Sequence, residues 1–261
     1  SQRGERNDIP PSRSILFSLG YTRSKLPLGM VGIVEGYYKT LDDLLILDGF
    51  SVPDTVQYDL NSKISDFIQR GEGYSYGAEF SLRREEGTIF GGVSYSWGEA
   101  ILKDSREVVY ANWDRTHSLK ADLSINWKGE DGIWKNSDPK KRWYFRSSSQ
   151  VGWNSGLPYT EVIGYVPRHE LDRGESISSR PFQTVQGGCN ERRYPYYFRW
   201  DIKPVDVGVE GKWNFSWTIL NITDRRNIFL YAYDQNQTPP KRLEIPQFPF
   251  FPIFMSYEYF F

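Results

Sequence analysis

The sequence predicts an all-β chain of long antiparallel strands of the transmembrane β-barrel class. Three observations carry that expectation. Stretch after stretch alternates apolar and polar side chains with the period of two that marks a strand. Many of these stretches run to about 10 to 12 residues, against roughly five or six in soluble sheets. Aromatic residues reach 16% of the 261 residues, although hydrophobic residues as a whole are an ordinary 39%. Trp97, Trp127, Trp143, Trp153, Trp213, Trp217 and Tyr259 fall toward strand ends, where the two interfaces of a bilayer favour amphipathic rings. A soluble β-sandwich alternates too, but it fills its core mainly with Val, Ile and Leu.

The elements follow in order. SILFSLGYT sets Ile15, Phe17, Leu19 and Tyr21 on one face, and TRSKLPLG reads as a short connection to the less regular MVGIVEGYYK. In the long loop at 49–72, DLNSKISDFIQRG carries Leu60, Ile64, Phe67 and Ile68 at helical spacing, with Asp59 or Asn61 as cap and Gly71 as stop. That spacing predicts a short surface helix. GYSYGAEFSLRR places Tyr74, Tyr76, Ala78, Phe80 and Leu82 opposite Ser75, Gly77, Glu79, Ser81 and Arg83. It turns through EEG into TIFGGVSYSWG, which reads as a hairpin. HSLKADLSINW alternates strictly, and its face of Ser118, Lys120, Asp122, Ser124 and Asn126 could not be a dry core.

After the middle-sized turn GEDGIWKNSDPKK, RWYFRSSSQVGWN sets Trp143, Phe145, Val151 and Trp153 against Arg142, Arg146, Ser148, Gln150 and Asn154. A long loop spans 155–193. YYFRWDIK and VEGKWNFSWTILN then alternate about a short turn placed around Pro204 to Val207, and a further loop spans 223–248. IFMSYEYFF closes the chain with Ile253, Met255, Tyr257, Tyr259 and Phe261 on one face. Short and long connections alternate, as expected where one barrel rim is compact and the other carries elaborated loops. The polar faces carry paired opposite charges, Glu79 with Arg83 and Arg199 with Asp201, which suits a hydrated or plugged lumen.

Composition narrows the function. A formal net charge of -1 argues against nucleic acid held by bulk positive charge. No apolar run of about 18 residues exists, so no membrane-spanning helix is expected, whereas a barrel strand needs only about 9 to 11 residues. Cys189 is the sole cysteine, and with His117 and His169 it forms no metal-ligand spacing. No GxSxG, HExxH or phosphate-loop pattern occurs, so no catalytic residue, metal or cofactor is expected. SQRGERNDIPPSRS has no signal-peptide character, so an exported chain is expected to have begun upstream of residue 1.

A set of motifs sharpens this reading. NDIPPSRSILFSLGY with VEGYYKTLDDLL comes first, then GYSYGAEFSLRREEGTIFGGVSYSWGEA, then ANWDRTHSLKADLSINW with Asp114, Arg115 and His117. SGLPYT, YPYYFRWDIK and WNFSWTILNITDRRNIFLY with Asn221, Asp224, Arg225 and Asn227 follow. In that order and over nearly the whole chain, they resemble the C-terminal barrel portion of TonB-dependent outer-membrane receptors. The resemblance implies a barrel of about 22 strands, of which residues 1–261 supply about nine and no plug domain.

It further implies the wall and extracellular loops of a receptor for energy-coupled uptake of a scarce ligand, such as an iron chelate, cobalamin or a glycan, across the bacterial outer membrane. The implied partners are outer-membrane lipid, the remaining barrel and plug, periplasmic TonB acting through the plug, and the assembly machinery, which would read Tyr257, Tyr259 and Phe261. The ligand-contact candidates are the aromatic and charged loop residues Trp113, Tyr159, Tyr165, Arg168, His169, Arg173, Arg192 and Arg193. Their arginines suit an anionic chelate. Two alternatives use the same wall: a structural scaffold barrel in a larger outer-membrane assembly, or a small self-closed barrel with enzyme activity at its rim.

Overall fold

Period-two sequence becomes strand almost throughout. The structure is a computed structural model that describes residues 11–47, 68–103, 107–137, 142–167, 182–234, 236–247 and 252–260. Its strands are β1 (Arg13–Leu26), β2 (Met30–Leu47), β3 (Ile68–Arg84), β4 (Ile89–Lys103), β5 (Val108–Tyr110), β6 (His117–Lys128), β7 (Trp143–Asn154), β8 (Pro158–Tyr159) and β9 (Val162–Pro167). They continue as β10 (Phe182–Gln186), β11 (Arg192–Arg193), β12 (Tyr197–Val209), β13 (Trp213–Ile219), β14 (Ile228–Asp234), β15 (Lys241–Pro246) and β16 (Ile253–Tyr259). The one helical element among the described residues is a three-residue turn, Pro27–Gly29, and no helix is long and apolar enough to cross a membrane.

Nine strands form one antiparallel sheet in the order β1-β2-β3-β4-β6-β7-β12-β13-β16, with β5 folded back beside β4. Among the described residues the path is not closed: β1 and β16 each pair on one side only. Small two-stranded pieces, β9 with β10, β8 with β11 and β14 with β15, occupy the two longest connections. They lie at the loop end of the sheet, and the short reversals define the opposite, turn end.

The faces divide as alternation requires. Following the register across neighbours, Glu35 stands opposite Glu79, Glu79 opposite Ser96, Ser96 opposite Ser118, and Ser118 opposite Asn154. This is the polar face, called inner below. The other face exposes Leu19 at 84% and Met255 at 71%, with many further aromatic and aliphatic side chains. Among the described residues the buried hydrophobics are only Leu102, Val109, Ala111 and Cys189, all at the loop end. A sandwich core is therefore not what the sheet's apolar face makes here.

One close approach shapes the inner face. Tyr37 pairs with Gly77, and Gly77 with Gly98. A Cβ on Gly77 or Gly98 would lie 2.8 or 2.7 Å from the Tyr37 hydroxyl, so the ring crosses two strands only because neither carries a side chain.

Several sequence expectations need correction. The turn placed around Pro204 to Val207 lies inside β12, where the register with both neighbours shifts, and the reversal is Glu210–Lys212. Proline lacks the N–H that a ladder needs, so it takes a bulge rather than a turn. Thr22 to Leu26 continue β1, and the reversal is compressed into Pro27–Gly29, where Leu28 and Gly29 both take positive φ. Ile68 to Gly71, the end of the expected helix, are strand in β3, since pairing with β2 overrides a short helical pattern. Residues 49–67 of that expectation lie outside the described residues. Arg83 reaches over Gly92 of β4 to Asp122 on β6 at 3.2 Å rather than pairing with Glu79 on its own strand, because two strand spacings, about 10 Å, are shorter than four residues of strand, about 13 Å. Arg199 and Asp201 do pair, at 2.7 Å.

Candidate functional site

The loop end gathers the residues with the densest polar and aromatic contacts. Strand β6 begins at His117, and the chain leading into it carries Asp114, whose side chain is 1% exposed. Its Oδ1 accepts from the Ala100 amide at 2.6 Å, and its Oδ2 accepts from Arg193 Nη2 at 2.6 Å. Arg193 also donates from Nη1 to the Gly156 carbonyl at 3.1 Å, and its guanidinium lies 4.7 Å from the centre of the Tyr110 ring. A charged carboxylate so buried is tolerable because its counter-charge and hydrogen bonds are supplied together. Asn190, in a left-handed conformation, donates from Nδ2 to the Tyr110 carbonyl and to Asn112 Oδ1.

A second group is aromatic. The rings of Tyr159 and Tyr194 stack at 4.5 Å, and Tyr231 meets them at 5.2 and 5.1 Å. Tyr165 meets Tyr233 at 6.0 Å, and the Arg242 guanidinium sits 4.4 Å above Tyr231. These five tyrosines come from β8, β9, the chain following β11, and β14, so they tie three small hairpins into one body. Burial raises the pKa of Tyr159, Tyr165 and Tyr194 above the ordinary tyrosine range, with Glu161 adding to the shift at Tyr159. All three therefore remain neutral donors near neutral pH.

A third group anchors the β14–β15 hairpin. The Asn227 side chain accepts from the Phe198 amide at 2.9 Å and donates to the Phe198 carbonyl at 2.8 Å, completing a ladder where no strand is available. Asn221 donates its backbone N–H to Asp201, the carboxylate already held by Arg199. Arg225 lies 3.9 Å over the Tyr196 ring and donates to its hydroxyl.

Of the ligand-contact candidates, Tyr159 and Tyr165 join the tyrosine group. Arg193 turns inward to Asp114, and Arg192 pairs with Glu161 at 3.0 Å. Trp113 is 62% exposed. Arg168, His169, Arg173 and Phe261 lie outside the described residues. Tyr257 and Tyr259 are on the outer face, opposite Phe215 and Trp213. Tyr194, Tyr231, Tyr233 and Arg242 are additional to the sequence expectation, although the alternate tyrosines of LYAYD were visible in it. Among the described residues no three His, Cys, Asp or Glu side chains gather as a metal site would require.

At the turn end the inner face opens into a polar hollow of about 950 Å³, lined among others by Asn126, Lys128, Arg146, Asp206, Glu210 and Asn214. On the outer face aromatic rings form two levels. At the loop side Tyr76 meets Trp97 at 5.9 Å, and His117 meets Tyr95 at 6.1 Å and Trp153 at 6.4 Å. At the turn side Trp213 meets Trp143 at 5.4 Å and Tyr257 at 6.4 Å. Trp127, at the turn side and stacked on Trp134 at 6.1 Å, donates its indole N–H to Ser147, and Trp200, between the levels, donates to Ser149. Compared with known proteins, the chain matches no family model and no curated relative.

Proposed function

We propose that this chain is barrel wall and extracellular loops of a TonB-dependent receptor, taking up a scarce ligand across the bacterial outer membrane. The observation that carries the reading is the outer face. Trp143 and Trp153 stand ten residues apart on one strand, each within an aromatic level, and between the levels the neighbouring strands expose Leu123, Trp200 and Met255. Ten residues tilted at about 45° span roughly the 25 Å of a barrel's apolar band. The Trp127 and Trp200 indoles, satisfied by serines on the same face, suit a medium that supplies no hydrogen bonds, while Trp217 Nε1 finds no partner among the described residues.

Two more features support the barrel over an isolated sheet. The open edges of β1 and β16 would leave unpaired amides in lipid, which strands from the remaining barrel would satisfy. Glu35 and Glu79 oppose one another on the inner face, with no ion-pair partner among the described residues. Like charges placed directly opposite are destabilising, so a lumen filled by a plug with basic side chains would relieve them. In this reading the tyrosine group with Arg242 faces the ligand. Arg193 instead braces the loops.

Intact mass and N-terminal sequencing of every polypeptide in the detergent-extracted protein tests the reading. The expected result is that these strands occur with a plug and the missing strands, in one longer polypeptide or in a companion. A lone 30.5 kDa chain that folds by itself would overturn it.

A further inference from the structure

We infer that residues 187–194 form a strap latched onto the loop-end rim by Arg193 and Asp114, and that opening the latch withdraws Tyr194 from the tyrosine group. The inference goes beyond the transport reading, because it concerns how this rim is held whatever passes through it.

Three residues of the strap converge on 109–114. Cys189 is buried with Val109, Ala111 and Leu102 in a small apolar cluster. Asn190, 5% exposed, ties to Tyr110 and Asn112. Arg193 closes on Asp114 beneath the Tyr110 ring. Along its other side the strap follows 157–161: Gly187 N–H bonds to Glu161 at 2.8 Å, Arg192 and Arg193 pair with Tyr159 and Pro158 as β11, and Tyr194 N–H bonds to Leu157 at 3.0 Å.

The coupling follows from the backbone. Successive side chains of an extended chain point to opposite sides, so Arg193 reaches the rim while Tyr194 stacks on Tyr159 and Tyr231. The two cannot be repositioned independently. The latch also has two acceptable states and a poor one between them. Closed, the Asp114 carboxylate is fully paired. Open, it is hydrated. Buried without Arg193, it would be a stranded charge, which is strongly unfavourable. Loss of the ion pair is therefore expected to lift the strap rather than leave a local defect.

Cys189 reports the state of the strap. In the whole protein extracted in detergent, maleimide modification at Cys189, located by peptide mass, is expected to be slow. Arg193→Gln should accelerate it by about tenfold or more. Arg193→Lys should give an intermediate rate, since it keeps the charge and loses the second arm to Gly156. Arg192→Gln, which breaks only the exposed pair with Glu161, should leave the rate unchanged. Wild-type labelling speed in a folded Arg193→Gln protein, or equal acceleration by Arg192→Gln, would overturn the latch. Hydrogen exchange on the unaltered protein tests it without any variant: the Gly187, Glu191 and Tyr194 amides should open as one unit. Unrelated exchange rates at the two ends would sink the strap.

Discussion

Two aspartate–arginine pairs of this chain join segments distant in sequence, and they live in different worlds. At the loop end, Asp114 and Arg193 meet at 2.6 Å with side-chain exposures of 1% and 29%. On the inner face nearer the turn end, Asp122 and Arg83 meet at 3.2 Å with exposures of 40% and 51%. The chemistry is the same. The solvent is not, and solvent decides what each pair is for. In water, attraction, side-chain entropy and screening nearly cancel. Out of water, the paired state is tolerable and the half-pair is not, so the geometry becomes mandatory. The loop end is thus fixed by a buried, paired carboxylate, whereas the polar face of the sheet carries charges that stay in water.

Asp114→Ala should have the largest effect, because it strands Arg193 and the Ala100 amide. A loss of about 3 to 5 kcal/mol is expected in thermal unfolding followed by near-ultraviolet circular dichroism in detergent. A loss under about 1 kcal/mol would erase the distinction between the two pairs. Asn227→Ala comes next, at about 2 kcal/mol, since it leaves both Phe198 backbone groups unpaired. Limited proteolysis should then cut the β14–β15 hairpin first.

A smaller effect comes from pH. Tyr159, Tyr165 and Tyr194 bind their protons more tightly folded than unfolded, because burial penalises the phenolate. Their contribution is whole below the unfolded value of about 10 and is lost as pH rises through the raised folded values. Tyrosinate absorbance should therefore rise late, together with loosening of the loop end, and Tyr194→Phe should soften that dependence. Arg83→Gln should be the mildest, costing at most about 1 kcal/mol and less at high salt. A larger, salt-insensitive loss would mean that the polar face of the sheet is as dry as the loop end.

Much of the fold was legible because alternation is local. HSLKADLSINW lies in one strand, and the polar residues assigned to it share the inner face as far as Asn126. Boundaries were less so, since Pro204 reads as a turn until the neighbouring register shows a bulge. The candidate site was half legible. Tyr159 and Tyr165 stand out as loop aromatics, but the partners that define their surroundings lie far along the chain. Arg193 and Asp114 are 79 residues apart, and no periodicity connects them. Arg193 therefore read as an exposed contact residue when its task is to neutralise a buried carboxylate.

The Tyr37 ring lying across Gly77 and Gly98 has an evolutionary consequence. Three positions on three strands share the space of a single side chain, so they are not free to drift separately. A sequence descended from the same ancestor that gains a side chain at position 98 should carry a smaller residue at position 37. Loss of the ring removes only its own share of that crowding, since a Cβ at 77 or 98 would still press on the backbone carbonyl of Trp97 or Tyr76, so the glycines should outlast the ring. Comparing such sequences would reveal a covarying triad that spells out the order β2, β3, β4 without any coordinates at all.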